Sequence, residues 1–186
     1  MLCAENCEFC IEEVDDNNGF SLISSVSYLT ETEKNLNVKK IKSLLVDRMK
    51  TQQKLEIPTV SYMATKVYQD RIKKEKLLDG QLDIRNLAYQ ARLWIRIVSI
   101  DENSPNHPMV NVFDYAEHDP FFEDCVYILH NKQNNHYDPL IIKNKSNSNE
   151  TSKIFEYKNK IVFELLCKFI RKKFLSKQLR SNYSVK

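Results

Sequence analysis

The sequence predicts an α+β domain in which helices come first along the chain and strands come later. Apolar residues recur at helical spacing up to about Ala91. From Trp94 to Ile142, β-rich runs bounded by turn residues replace that pattern. The runs are close together, which favours hairpins, so we expect a small, mostly antiparallel sheet packed between helices.

Composition is that of an ordinary globular protein. The chain has 186 residues, enough for one domain with a substantial core, and 42% of them are hydrophobic. No apolar run reaches the roughly 18 residues of a membrane span, and the N-terminus lacks a signal-peptide pattern. Five cysteines, an odd number, suit reduced thiols, so we expect an intracellular protein, cytoplasmic or nuclear.

The first seventeen residues are acidic and are expected to form a frayed N-terminal extension. They also contain three cysteines, Cys3, Cys7 and Cys10, in a C-x3-C-x2-C arrangement. A zinc site usually needs four ligands, and no nearby histidine completes this one, so no metal is predicted.

The first helix is predicted to begin at about Ser21. Leu22, Val26 and Leu29 follow at i, i+4 and i+7, which is helical spacing. A small polar residue at a helix N-terminus lies near several backbone N–H groups and the positive end of the helix dipole, where a nucleophile can be activated. The alternative is that Ser21 is an N-cap, the commoner role of serine before an apolar helix.

Three more helices are predicted before the strands, each from apolar residues three and four positions apart. Asn37 is expected to cap the first of them, and Asp79-Gly80 to form the turn that ends the second. Their many lysines are interpreted as a solvated surface, and no specific nucleic acid is predicted. The helices are expected at residues 38–53, 58–78 and 82–91, after a polar connection at 30–37.

Four strands are predicted from runs of β-branched and aromatic residues between turns, at residues 94–100, 109–115, 126–130 and 136–142. His136 begins the last of them. Residues i and i+2 of a strand face the same way, so His136 and Asp138 are expected to lie side by side. A histidine oriented by a carboxylate is the general-base half of a nucleophilic triad. The alternative is a surface histidine in a turn. His107, His118 and His130 lack this arrangement.

Three segments occur in the order and at the spacing of a known protease family: the helix start at 18–28, the stretch 78–88 and His136-Tyr137-Asp138. They resemble the ovarian tumour (OTU) family of ubiquitin-specific cysteine proteases. That family has an Asp-Gly-Asn-Cys helix start, a Trp-Gly-Gly-x-x-Glu-Ile/Leu-x-x-Leu-Ala segment and a late His-Tyr-Asp. The resemblance implies a papain-type cysteine protease fold, a ubiquitin or ubiquitin-like partner and no cofactor.

The resemblance also implies a role for each matching residue. Ser25-Val26-Ser27-Tyr28 aligns with the family's Ser-Ile-Ser-Tyr, which places Ser21 at the nucleophilic cysteine. In the middle segment Leu78 stands for the family Trp and Asp79 for its first Gly. The other implied site residues are His136 as general base, Asp138 as its orienting residue, Asn18 in place of the family Asp, and Gly19 and Phe20 in the oxyanion loop.

Serine at the nucleophile position changes the expected chemistry. A cysteine of pKa about 8.5 can form a thiolate–imidazolium pair, whereas a serine hydroxyl does not ionise near neutral pH. None of the five cysteines aligns with the nucleophile. We therefore expect an inactive or impaired deubiquitinase-like protein. The alternative is an active OTU-like hydrolase that uses Ser21 and His136.

The C-terminal segment differs from the rest in charge. Residues 151–186 carry ten Lys or Arg against two Asp or Glu, and a long helix is predicted at 153–177. It is expected to pack on the domain with a solvated basic end, or to bind an acidic partner or an anionic membrane surface. If the segment binds such a partner or surface, the alternative interpretation of the chain is a non-enzymatic interaction module. The expected organisation is an extension at 1–17, the OTU-like domain at 18–143, and a linker and basic helix at 144–186.

Overall fold

The computed structural model describes residues 6–14, 20–53, 66–67, 70, 81–103, 108–116, 122–147 and 149–175. These residues form an α+β fold with a seven-stranded, mostly antiparallel sheet, as predicted. The elements in chain order are β1 Cys7–Ile11, α1 Ser21–Lys34, α2 Val38–Gln53, α3 Gln81–Ala91, β2 Trp94–Asp101, β3 Met109–Tyr115, β4 Asp124–Asn131, β5 His136–Asn144, β6 Thr151–Ser152, β7 Phe155–Glu156, α4 Lys160–Ile170 and the π-helical turn Arg171–Leu175.

The five longer strands are ordered β1-β5-β4-β2-β3, while β6 pairs with β5 and β7 with β4. Among the described strands, β2 and β4 are the only pair that is parallel. Both of these strands are apolar along most of their length and are buried, as expected for strands covered on both faces. β1 and β3 form the two edges of the sheet.

Alternating residues of each strand build two cores, one on each face of the sheet. Ile95 and Ile97 of β2 belong to the core beneath α1, α2 and α3. Val98 and Ile100 belong to the second core, which α4 covers with Val162, Leu165 and Leu166. The sheet therefore lies between two layers of helix, and the start of α1 and the start of β5 meet on the first face.

Capping residues fix the helix boundaries. α1 runs to Lys34, further than predicted, and includes the buried Thr30, whose hydroxyl donates to the Val26 carbonyl. The left-handed residue Asn35 ends the helix, with its N–H donating to the Glu31 carbonyl. The predicted cap of the next helix is confirmed, since Asn37 Oδ1 accepts from the Lys40 N–H at 2.9 Å. The helix predicted at 58–78 lies outside the described residues, apart from residues 66, 67 and 70.

The expectation of a frayed N-terminus is wrong for Cys7–Ile11. This segment forms β1 and pairs with β5 over five residues. Phe9 anchors it in the second core, with its ring 5.3 Å from that of Tyr127. Cys7 packs in the second core and Cys10 against the first, so the two thiols lie on opposite faces and cannot share a metal ion. Within the described residues, no group of three or more His, Cys, Asp or Glu is placed to hold a metal.

The helix predicted at 153–177 begins later than expected. Phe155–Glu156 forms β7 against the start of β4. Asn159 then caps α4, its Oδ1 accepting from the N–H groups of Ile161 and Val162. α4 packs on the sheet, and the basic residues at its end are exposed. None of the described helices is long and apolar enough to cross a membrane.

Candidate active site

The candidate site begins at the N-terminus of α1. Phe20 is the N-cap residue there, and it makes no side-chain capping bond. Ser21 is the first helical residue, and only 2% of its surface is exposed. The alternative of Ser21 as an N-cap is therefore wrong. Its hydroxyl instead forms a hydrogen bond with a backbone group of β5.

Two serines of α1 hold the backbone of Tyr137 in β5. Ser21 Oγ accepts from the Tyr137 N–H at 3.0 Å, and Ser25 Oγ donates to the Tyr137 carbonyl at 2.7 Å. These serines are four residues apart, so they lie on one face of the helix. The nearby Pro139 carbonyl accepts from the Glu12 N–H just past the end of β1. The backbone groups of Tyr137, two residues earlier, point toward the same edge of β5. β1 does not extend that far, and the two serines satisfy these backbone groups instead.

The predicted contact between His136 and Asp138 is confirmed. His136 Nε2 lies 3.0 Å from Asp138 Oδ1, and both side chains are partly buried. When Nε2–H donates to this carboxylate, neutral His136 carries its lone pair on Nδ1, the atom that could take a proton. In the described part of the chain, however, Ser21 Oγ bonds the amide of Tyr137 rather than the His136 imidazole. The catalytic roles of these residues stay predictions.

His130 of β4, for which no role was predicted, packs against Tyr137 next to the site. Its ring stacks on that of Tyr137 with centroids 4.2 Å apart and planes within 6°. Its Nδ1 lies 3.2 Å from Ser99 Oγ and its Nε2 2.9 Å from Asn135 Oδ1. Asn135, with φ 52°, is the left-handed residue immediately before His136. The hairpin register, which pairs position 130 with position 137, is the signal that could have identified it.

Phe20 is the one predicted oxyanion-loop residue that the structure describes. Its ring is buried in the first core, and the Lys42 ammonium lies 4.0 Å above the ring centroid. Its carbonyl accepts from the Ser24 N–H, which closes the first turn of α1. Asn18 and Gly19 lie outside the described residues. A phenylalanine fixed in this way places an apolar group where the OTU pattern has an asparagine.

The buried cysteines do not supply a substitute nucleophile. Burial raises the pKa of the Cys125 thiol to about 12, and the nearby Arg96 guanidinium offsets only part of this rise. Cys125 also belongs to the second core, on the opposite face of the sheet from Ser21. Burial, followed by the charge of Glu8, raises the pKa of Cys10. Both groups are therefore neutral thiols near neutral pH.

Sequence comparison finds no match: no family model matches the chain, and neither does any curated protein. Comparison of structures does find matches. An ovarian tumour (OTU) domain solved in complex with ubiquitin superposes with a TM-score of 0.64, covering 92% of each chain at 16% identity. The chain has a divergent OTU fold. A ubiquitin-bound OTU deubiquitinase from Wolbachia pipientis wMel, with a TM-score of 0.55, covers 76% of this chain and 98% of its own at 13% identity.

A third relative shows how far the OTU fold tolerates sequence change. The viral OTU domain protease from Taggert virus matches with a TM-score of 0.50 at 23% identity, covering 78% of this chain and 85% of its own. At such identities the fold persists through core patterning rather than through shared residues. The likeness therefore establishes the OTU fold, which the sequence had predicted, and leaves the chemistry of the site to its own residues.

Removing the Ser25 hydroxyl should destabilise the protein. Ser25 is fully buried, and Ser25→Ala removes the hydroxyl that donates to the Tyr137 carbonyl. We expect the free energy of unfolding to fall by about 1–2 kcal/mol. Ser24→Ala, one residue earlier and less buried, is the matched control and should stay within about 0.5 kcal/mol of wild type. Urea denaturation measures both. Equal stabilities of the two variants would show that this bond contributes nothing.

Proposed function

We propose that this OTU-fold protein binds ubiquitin or a ubiquitin-like modifier and hydrolyses isopeptide bonds weakly or not at all. One observation carries the proposal: Ser21, which aligns with the nucleophile of the OTU pattern, is buried, and its hydroxyl accepts from the Tyr137 amide. Two of the matching OTU domains were solved with ubiquitin, which supports ubiquitin as the partner class.

The chemistry of Ser21 argues against efficient hydrolysis. A serine must lose its proton as it attacks, so it needs a general base within hydrogen-bond reach. Ser21 Oγ instead bonds a backbone N–H, and an acceptor bond of this kind withdraws electron density from the oxygen. The position that would stabilise an oxyanion is also altered, because Phe20 takes the place of a polar residue. Binding of the modifier does not depend on either property.

An active hydrolase is the alternative, and the His136–Asp138 pair favours it. A serine nucleophile requires an imidazole that is held in a fixed orientation. The 3.0 Å contact between His136 and Asp138 provides such an orientation. In this alternative the hydrogen bond between Ser21 and His136 forms only in the substrate complex, as catalytic hydrogen bonds often do.

A non-enzymatic interaction module is the third candidate. The exposed lysines Lys168, Lys172 and Lys173 at the end of α4 favour an acidic partner or an anionic membrane surface. This candidate differs from the other two in its partner, which is neither ubiquitin nor a ubiquitin-like modifier.

Titration of isotope-labelled ubiquitin with the full chain tests the proposal by NMR. We expect saturable shift changes on ubiquitin and no cleavage of di-ubiquitin of any linkage over the same period. Absence of shift changes at the highest soluble concentration would reject binding. Cleavage that Ser21→Ala abolishes would instead establish the active hydrolase. Cleavage that persists in Ser21→Ala would point to a contaminating protease.

A further inference from the structure

Arg96 is a charged residue inside the sheet, and only 9% of its side-chain surface is exposed. Alternation along β2 places it on the same face as Val98, which belongs to the second core. A guanidinium has five N–H donors. Nε and Nη2 each donate to Asp114, at 2.6 and 2.8 Å, and Nη1 donates to the Tyr127 hydroxyl at 3.1 Å. Among the described residues, one N–H on Nη1 and one on Nη2 therefore have no oxygen acceptor.

The Arg96 side chain borders a cavity of about 430 Å³ at the start of α4. The rings of Tyr157 and Phe163 lie beside the guanidinium, with their centroids 5.3 and 5.7 Å from Arg96 Cζ. The other described residues that line the cavity are Lys158, Asn159, Lys160 and Glu164. Its volume is within the range of small-molecule sites in proteins, so the cavity is large enough for a small ligand.

The charge of this cavity favours an anion. Asp114 compensates the charge of Arg96. Lys158 and Lys160 are exposed, and neither forms an ion pair within the described part of the chain. Glu164 is the only carboxylate among the described lining residues. Lys160 is also the first residue of α4, where the helix dipole has its positive end. Two ammonium groups and this dipole against one carboxylate leave the cavity net positive.

We propose that this cavity binds a small molecule in which a phosphate group is attached to an aromatic ring. A phosphate monoester has three terminal oxygens and close to two negative charges near neutral pH, more of each than a carboxylate has. The two remaining Arg96 donors and the two ammonium groups can satisfy those oxygens. Phe163 is 49% exposed, so a ring bound with the phosphate would cover it. The Tyr157 ring is held in place by stacking on Trp94, with centroids 3.9 Å apart.

Titration of the isotope-labelled full chain with phenyl phosphate tests the proposal by NMR. We expect saturable shifts of the backbone N–H signals of residues 158–164. The Kd should be at least ~3-fold lower than that of inorganic phosphate, because the ring adds its contact with Phe163. Phenol, which has the ring but no phosphate, should produce no saturable shifts. Absence of saturable shifts with phenyl phosphate, or a Kd no lower than that of inorganic phosphate, would overturn the proposal.

Two double variants test the location of the site. Lys158→Ala combined with Lys160→Ala should raise the Kd for phenyl phosphate at least ~10-fold, because both ammonium groups are lost. Lys168→Ala combined with Lys173→Ala removes the same charge and is the matched control. Lys168 is eight residues beyond Lys160 along α4, about 12 Å, which exceeds the Debye length at physiological salt. The control should therefore change the Kd less than ~2-fold. Equal effects of the two double variants would contradict the proposed location.

Phe163→Leu tests the contact with the ring. It should abolish the preference for phenyl phosphate over inorganic phosphate, because the aromatic partner is lost. Ile161→Leu, at a nearby position that is 39% exposed and does not line the cavity, is the control and should keep the preference. Both side chains are exposed, so both variants should fold as the wild type does. A preference that persists in Phe163→Leu would show that the ring does not bind here and would reject the proposed ligand class.

Discussion

Replacing Ser21 with cysteine is expected to turn a protein that does not react with a ubiquitin C-terminal electrophile into one that does. The thiol would lie at the start of α1, where residue 21 bonds the amide of Tyr137, the residue that follows His136. Asp138 orients His136 through Nε2. A thiolate formed there is a far stronger nucleophile than a serine hydroxyl. We expect the rate of covalent adduct formation, followed by intact mass, to rise at least ~100-fold over wild type.

Two control variants test whether this reactivity is specific to position 21 and depends on His136. Ser24→Cys puts a thiol on the same helix but away from the Tyr137 contact, and it should react no faster than wild type. His136→Ala in the Ser21→Cys background should lower the rate by at least ~100-fold, because the general base is lost. If Ser21→Cys binds ubiquitin normally yet reacts no faster than wild type, position 21 is not the nucleophile position of this fold.

The residues of the candidate site were predictable where local patterns specify them. Alternation in a strand predicted that His136 and Asp138 lie side by side, and they do. The bonds from Ser21 and Ser25 to Tyr137 were not predictable, because they join a side chain to a backbone group more than a hundred residues away. No residue type is specific for such a contact. It depends on where β1 stops along β5, which is a property of the assembled sheet.

Three of the described strands, β1, β6 and β7, were not predicted, and the reasons differ. β6 is only two residues long and lies in a stretch that was predicted to be a linker. β1 had a period-2 signal, with Cys7, Phe9 and Ile11 alternating, but its acidic neighbours and short length obscured it. In the C-terminal segment, Ile154 was interpreted as the start of a helical apolar stripe, and Phe155 falls within the helix predicted at 153–177. The structure places Ile154 against the first core and Phe155 in the second, so they face opposite ways, as strand residues do. Periodicity alone cannot choose between helix and strand in so short an apolar run.

Contacts from two other elements fix Tyr137, the residue next to His136. Ser21 and Ser25 of α1 bond the backbone of Tyr137, and the ring of His130 stacks on its side chain. His136 precedes Tyr137 in β5, so these contacts also fix the position of its backbone. These contacts hold the backbone of Tyr137 in place whether or not Ser21 is reactive.

The largest single loss of stability outside the apolar core is expected from Asp114→Ala. Arg96 is only 8% exposed and lies among the rings of Tyr127, Tyr157 and Phe163. The hydrogen bonds that Arg96 donates to Asp114 raise the pKa of Arg96, so the guanidinium stays charged at any accessible pH. Removing the carboxylate leaves a buried cation whose remaining hydrogen bond is to the Tyr127 hydroxyl, at an expected cost of about 2–3 kcal/mol.

A matched ion pair on the surface separates this burial effect from the loss of an aspartate as such. Asp124 bonds Lys34 at 2.6 Å but is about half exposed, so Asp124→Ala should cost less than about 1 kcal/mol. Arg96→Met combined with Asp114→Ala should be more stable than Asp114→Ala alone, because no unpaired charge remains in the core. Urea denaturation of the four variants measures the coupling. If the effects of Arg96→Met and Asp114→Ala simply add, the cost of Asp114→Ala arises from β3 itself and not from the stranded guanidinium.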